Sequence, residues 1–159
     1  MTTTPKPPAF DPLTVEPRIG TSYPEPFRAA AAGRIKRRLG DHGGLNNFGV
    51  NLVTLPPGCN SSVRHWHTRE DEFVMVLTGE LTLLTDAGEQ VLGPGMCAAF
   101  PAGKADGHAL VNRTEVEATY LEVGDRIEGD EVDYPDVDMQ VRFIDGDYVF
   151  VRRSDGSRY

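Results

Sequence analysis

Cysteine is nearly missing from this chain of 159 residues: Cys59 and Cys97 lie far apart, and neither belongs to a CxxC pair. That excludes a disulfide framework and a thiolate zinc site, and makes a cytoplasmic location the expectation. Long apolar runs are missing too. No stretch approaches the roughly 20 apolar residues that would span a bilayer. The opening "MTTTPKPPAFDPLTVEPRIG" has neither the charged start nor the apolar run of a signal peptide. Positive charge is in short supply: sixteen Lys and Arg stand against twenty-four Asp and Glu, a formal net charge of -8. Ten of the acids fall within residues 115–138 beside a single arginine, Arg126. Such a surface repels phosphate backbones, so neither nucleic acid nor membrane is an expected partner. The one basic cluster, "RIKRRLG" at 34–40, has no aromatic interleaving. It reads as a solvated strand or as an internal partner for the acidic segment.

Helical pattern is the next scarcity. Only "PEPFRAAAAGR" reads as a helix, of about two turns, with Gly33 as its stop. Elsewhere proline and glycine cut the chain into short apolar segments: "FGVNLVTL", "SSVRHWH", "EFVMVLTG", "ELTLLT", "EQVLG", "MCAAFP", "HALVN" and "ATYLEVG". This is the rhythm of an all-β sandwich or barrel with antiparallel pairing. In "TDAGEQ", Asp86 and Gly88 tolerate the positive φ of a tight hairpin turn. The expected organisation is one domain in three parts. An extended arm and short helix (1–44) pack on a barrel (45–125), followed by an acidic surface loop and a C-terminal hairpin (126–159) that turns at Asp145 to Asp147.

In "EFVMVLTG" the alternate sets Glu72, Val74, Val76 and Phe73, Met75, Leu77 are both largely apolar, so both faces of that strand need cover. The arm, a second subunit, or both would supply it, and a symmetric homodimer is the expectation.

Histidine is scarce as well, with four in all, yet two stand together in "HWHTREDEF" (65–73). On a strand His65 and His67 project to one face about 7 Å apart while Arg64 and Trp66 turn away. The turn "TRED" then brings Glu72 onto the returning strand within reach of the same point. Two imidazoles and a carboxylate suit divalent iron, manganese, zinc or nickel, and do not suit calcium. His42, in the turn-like "LGDHGGLNN", reads as a surface residue.

Together with a second stretch, "GMCAAFPAGKADGHALVN", this segment resembles the two signature motifs of the cupin superfamily. The first motif runs glycine, His-x-His, glutamate, glycine, and is matched by Gly58, His65, His67, Glu72 and Gly79. The second runs glycine, Pro-x-Gly, histidine, asparagine, and is matched by Gly95, Pro101, Gly103, His108 and Asn112. The resemblance implies a double-stranded β-helix, that is, a small β-barrel or jelly roll. It also implies His65, His67, Glu72 and His108 as ligands of one divalent transition metal (Fe, Mn, Zn or Ni). Two spacings depart from the family. Six residues separate Gly58 from His65 where five are usual, and four separate Gly103 from His108 where two are usual. Either "GKADGH" forms a longer lip with His108 still in place, or the register shifts and two histidines and one carboxylate remain.

Three histidines and a glutamate on a six-coordinate ion leave two adjacent positions open for substrate oxygens. That chemistry leads to isomerase, lyase or dioxygenase activity on a small oxygenated molecule such as a sugar derivative or a carboxylic acid. The other class is a non-catalytic barrel that senses a small ligand. Strand parity with His108 turns Leu110 and Asn112 inward. On the next strand either Tyr120 with Glu122 or Leu121 with Val123 faces the interior, and only the first pair offers an acid and a base. Lys104 and Asp106 on the lip are candidates for substrate contact. With few basic residues near the barrel mouth beyond Lys104 and Arg113, a phosphorylated sugar is the less favoured substrate.

Overall fold

The computed structural model describes residues 8–159. Its thirteen strands are β1 (Pro17–Ile19), β2 (Ile35–Arg38), β3 (Phe48–Leu55), β4 (Trp66–His67), β5 (Glu72–Thr78), β6 (Leu81–Thr85), β7 (Gly88–Leu92), β8 (Cys97–Phe100), β9 (Ala109–Val111), β10 (Ala118–Asp125), β11 (Val132–Tyr134), β12 (Met139–Ile144) and β13 (Asp147–Val151). One short α-helix, α1 (Leu39–Gly43), follows β2. The six-stranded sheet runs β1-β2-β3-β10-β5-β8. Facing it are a three-stranded sheet, β7-β6-β9, and a four-stranded sheet, β13-β12-β11-β4. Every strand pair is antiparallel, and the isolated bridge His65↔His108 stitches the two smaller sheets together. This is the all-β cupin barrel.

Alternation along the strands fills the interior. Val53 and Leu55 from β3, Val74 and Val76 from β5, Leu81 and Leu83 from β6, and Tyr120 from β10 form the closed end of the barrel. Each fully buried aliphatic side chain contributes about 1.5–3 kcal/mol relative to exposure. A second, smaller core of Tyr23, Tyr134 and Met139, flanked by Phe27 and Phe150, fastens the arm and the C-terminal hairpin to the barrel. Asn112 locks the closed end. Its side-chain NH₂ donates to the carbonyls of Leu55 and Val116, both at 2.7 Å, and its oxygen accepts from the Thr114 amide and hydroxyl. At Gly79 the chain takes φ +72°, and an added Cβ would come within 2.8 Å of the Glu117 carbonyl, so only glycine makes this turn.

Three local expectations change. The alanine-rich stretch folds as a five-residue 3-10 helix, Phe27–Ala31, because the chain turns at once into β2. In the β6–β7 hairpin only Gly88 takes positive φ; Asp86 does not. The segment after Val123 is more than a surface loop: β11 lies within it, pairs with Trp66 and His67, and buries Tyr134 and Asp130. A two-residue strand such as β4 needs that partner for its backbone groups. The final hairpin turns through Asp145 and Gly146, both with positive φ.

Candidate metal centre

His65, His67 and Glu72 each offer a ligand atom within 4.8 Å of the others. His108 joins them through the carboxylate. Glu72 Oε2 lies 2.8 Å from His108 Nε2, 3.5 Å from His67 Nε2 and 3.6 Å from His65 Nε2. Ligand atoms on metal bonds of about 2.1 Å sit about 3.0 Å apart at right angles and about 3.4 Å apart in a tetrahedron. Each imidazole thus stands at a ligand-like spacing from the Glu72 carboxylate; His65, His67 and Glu72 form a group close enough to hold one cation, and His108 adjoins it through Glu72. The long spacing before His108 is absorbed by the lip 103–107. His108 keeps its place because its amide and carbonyl exchange hydrogen bonds with those of His65, at 2.9 and 3.1 Å.

Each ring is oriented from behind. His65 Nδ1 donates to the Val63 carbonyl at 3.0 Å, which leaves Nε2 free to face Glu72. His67 Nδ1 donates to Asp130 Oδ2 at 2.5 Å. Asp130, only 3% exposed, is itself fixed by the Arg69 amide and the Thr68 hydroxyl. Phe100 stacks on the His108 ring with centroids 3.6 Å apart. Burial lowers the His108 pKa against the opposing hydrogen bond from Glu72, which favours the neutral imidazole. Burial would raise Glu72, but the His108 and His65 contacts outweigh it and hold the carboxyl well below its usual range.

The ligand cluster borders a polar cavity of about 240 Å³ inside the barrel. Parity on β10 resolves in favour of the polar pair: Tyr120 and Glu122 face inward. Beside them, two strands away in the same sheet or at its margin, stand Lys36 and Arg34 from the basic cluster. Lys36 Nζ donates to Glu122 Oε1 at 2.8 Å and Asn51 adds a bond at 2.9 Å, so the basic cluster does supply an internal partner for the acidic segment. Burial would raise Glu122, but Lys36 outweighs it and holds the carboxyl below its usual range. Burial, with Glu122 adding to it, pushes the Tyr120 hydroxyl well above its usual range, so it stays protonated.

A second cavity, of about 260 Å³, lies on the other side of the cluster and is lined by Trp66, Lys104 and Asp106. Trp66 thus borders a cavity instead of serving packing alone. The lip residues reach that cavity, with Asp106 also accepting from the Asp86 amide at 2.8 Å. His42 lies outside both cavities and contacts the Phe10 ring. Sequence reasoning missed Asp130, Arg34 and Phe100 as parts of the site. The only available signal for Arg34 was its two-residue offset from Lys36, which in extended chain running into β2 turns both side chains the same way.

The cupin domain family matches residues 51–124. A solved structure described as a sugar phosphate isomerase of the cupin superfamily, from Silicibacter pomeroyi, shares 48% identity, covers 96% of this chain and 97% of its own, and superposes with a TM-score of 0.90. A proposed sugar phosphate isomerase from Acidithiobacillus ferrooxidans shares 32% identity over 78% of this chain and 79% of its own, with a TM-score of 0.72. The polyketide cyclase RemF of Streptomyces resistomycificus, 23% identical over 74% of this chain and 78% of its own with a TM-score of 0.61, shares the fold. No curated protein matches. The chain is a small single-domain cupin. Among the described residues no helix is long and apolar enough to cross a membrane.

Proposed function

We propose that this cupin is a metal-dependent isomerase acting on a small hydroxy-carbonyl compound, with His65, His67, Glu72 and His108 as the ligands of a divalent ion. The observation that carries this reading is the convergence of three imidazole Nε2 atoms on Glu72 Oε2 within 2.8–3.6 Å, at the wall of a cavity that also holds Glu122. The relatives described as sugar phosphate isomerases support the reaction class. Such an ion supplies Lewis-acid polarisation of adjacent substrate oxygens. Glu122, ionised and held by Lys36 and Asn51, accepts the proton from the hydroxyl-bearing carbon and returns it to the neighbouring carbonyl carbon, while the hydroxyl proton passes to the former carbonyl oxygen, so the reaction needs no redox partner. Tyr120 keeps its proton and acts as a hydrogen-bond donor.

The test is metal analysis of protein purified without added metal, repeated with His67→Ala. One equivalent of iron, manganese, zinc or nickel, lost in the variant, is expected. Isomerisation across a panel of hydroxy-aldehydes and hydroxy-ketones then separates this activity from oxygen-consuming chemistry and from ligand sensing. Full metal content with no turnover of any member, or with oxygen uptake instead, overturns the isomerase assignment.

We also propose that the chain works as a cytoplasmic homodimer through the outer face of the six-stranded sheet. Phe48, Phe73 and Leu77 remain 40%, 38% and 42% exposed there. The described residues of the arm do not cover them; β1 lengthens the sheet at its edge. A stable dimer needs about 800 Å² from each partner, and these exposed apolar side chains would form its centre. Light scattering at micromolar concentration is expected to give twice the chain mass, and a monomer there overturns the proposal.

A further inference from the structure

Among the described residues three buried side-chain atoms on residues lining the inner cavity have no hydrogen-bond partner: His108 Nδ1, within the candidate ligand cluster, and two donors outside it. Arg34 is held by its guanidinium tips: Nη1 donates to the Ser61 carbonyl at 2.6 Å and Nη2 to the Gly20 carbonyl at 3.2 Å. Its Nε is buried and has no partner among the described residues. The Tyr120 hydroxyl, 1% exposed, also has none. Both side chains line the cavity that the ligand cluster borders. A buried donor left without an acceptor is costly, and native proteins keep such groups where a ligand completes them.

Charge points the same way. Lys36 is already balanced by Glu122, and Glu72 belongs to the ligand cluster. The Arg34 cation therefore has no carboxylate of its own in the cavity.

We propose that Arg34 Nε and Tyr120 Oη form an oxyanion subsite that receives a carboxylate of the substrate, while the opposite end of the same molecule presents its hydroxy-carbonyl oxygens to the His65, His67, Glu72 and His108 cluster. This rests on the metal-centre reading and narrows the substrate to hydroxy-carbonyl compounds that carry a carboxylate at the far end, for which hydroxy diacids serve as non-reacting binding probes. One N–H and one O–H match the two oxygens of a carboxylate. A phosphoryl group presents three terminal oxygens, one more than Arg34 Nε and Tyr120 Oη can meet. The cavity volume of about 240 Å³ also suits a compact diacid.

The experiment compares glycolate, which offers only a hydroxy-acid end, with the diacids tartronate, malate and 2-hydroxyglutarate, and with 3-phosphoglycerate. Binding is followed by calorimetry on metal-loaded protein, with metal content measured on the same samples. At least one diacid is expected to bind about tenfold or more tightly than glycolate, and Tyr120→Phe is expected to erase that preference while the protein stays folded and keeps its metal content. Arg34→Lys is a second variant with the same expected loss, though Arg34 also braces two carbonyls. Equal binding of glycolate and every diacid overturns the subsite, as does a preference that survives in Tyr120→Phe. Tighter binding of 3-phosphoglycerate than of all the diacids overturns the carboxylate assignment. Absence of metal from every sample overturns the metal-centre reading instead. Succinate added to that metal-free protein then decides the subsite: Tyr120-dependent thermal stabilisation supports it, and no such stabilisation overturns it.

Discussion

The two walls of the inner cavity are built on opposite plans. The ligand wall is local: His65, His67 and Glu72 fall within eight residues, and His108 is tied to His65 by a backbone bridge. The opposite wall is gathered from afar. Arg34 and Lys36 come from the strand nearest the arm, Tyr120 and Glu122 from β10, and Lys36 meets its partner across 86 positions of sequence. On the proposed reading the first wall holds a cation, and its geometry depends on each of the four side chains that meet at Glu72. The second wall carries hydrogen-bonding groups, Lys36 and Asn51 on Glu122 with Tyr120 and Arg34 beside them. It follows that the ligand wall should govern whether the protein is loaded, and the far wall what it binds and how stable the pocket is.

The sharpest break of this comparison is His67→Ala. Losing one of four ligands should lower metal affinity by about three orders of magnitude or more, roughly 4 kcal/mol. Glu122→Gln should leave metal content intact. Elemental analysis of the two variants side by side decides it, and equal metal loss in both would erase the division between the walls.

Next comes Asp130→Asn. A carboxylate behind a ligating histidine fixes its tautomer and raises its basicity, and its loss typically costs 10–100-fold in metal affinity. Asp130 sits in the C-terminal extension, beyond residues 51–124, so the ligand wall reaches outside the conserved barrel for its support. Competition against a chelator with known affinity measures the change. An affinity within twofold of wild type would reduce Asp130 to a loop anchor for Thr68 and Arg69.

These differences in construction explain what could be read in the sequence. A strand forces side chains to alternate, so His65 and His67 had to share a face, and the turn to Glu72 was short enough to follow. The barrel itself was legible from short apolar segments bounded by glycine and proline, and strands β5 to β10 fall where those segments lie. The far wall was not legible because parity on β10 is undetermined until the pairing of Glu122 with Asn51 and Val74 is fixed. Asp130 was hidden for another reason. In a run of ten acids nothing marks the one that folds under the surface, and only the pairing of β11 with β4 puts it behind His67. The α1 turn escaped notice because its five residues hold two glycines and show no amphipathic period.

A smaller effect is expected from Lys36→Met, which strands the Glu122 carboxylate with Asn51 alone. Breaking a largely buried pair from one side is destabilising, here by about 1–2 kcal/mol given that both side chains keep some solvent contact. Urea denaturation should show the loss, and Lys36→Met combined with Glu122→Leu should recover most of it, since the pair is replaced by apolar groups of similar size. A double variant as unstable as the single one would mean that the ion pair holds the wall together in its own right.

The smallest effect is in acid. Burial acts to raise the Glu122 pKa, but the Lys36 charge outweighs it, so the folded value lies below the ordinary 4.5. Above about pH 4.5 the carboxyl is ionised in both the folded and unfolded chains and its contribution to stability is complete. As the pH falls below that value the unfolded chain takes up the proton first, and the contribution is lost as the pH passes through the folded pKa. Glu122→Gln removes the proton uptake altogether, so its stability should fall less steeply than that of the wild type below pH 4.5, while the two profiles run parallel from pH 5 to 7. Metal-free protein is the material of choice, because the ligand wall titrates in the same acid range and would otherwise mask the difference. Parallel profiles through the acid limb would mean that Lys36 leaves Glu122 as easy to protonate in the folded chain as in the unfolded one, and the far wall would then owe its geometry to packing and to Asn51 alone.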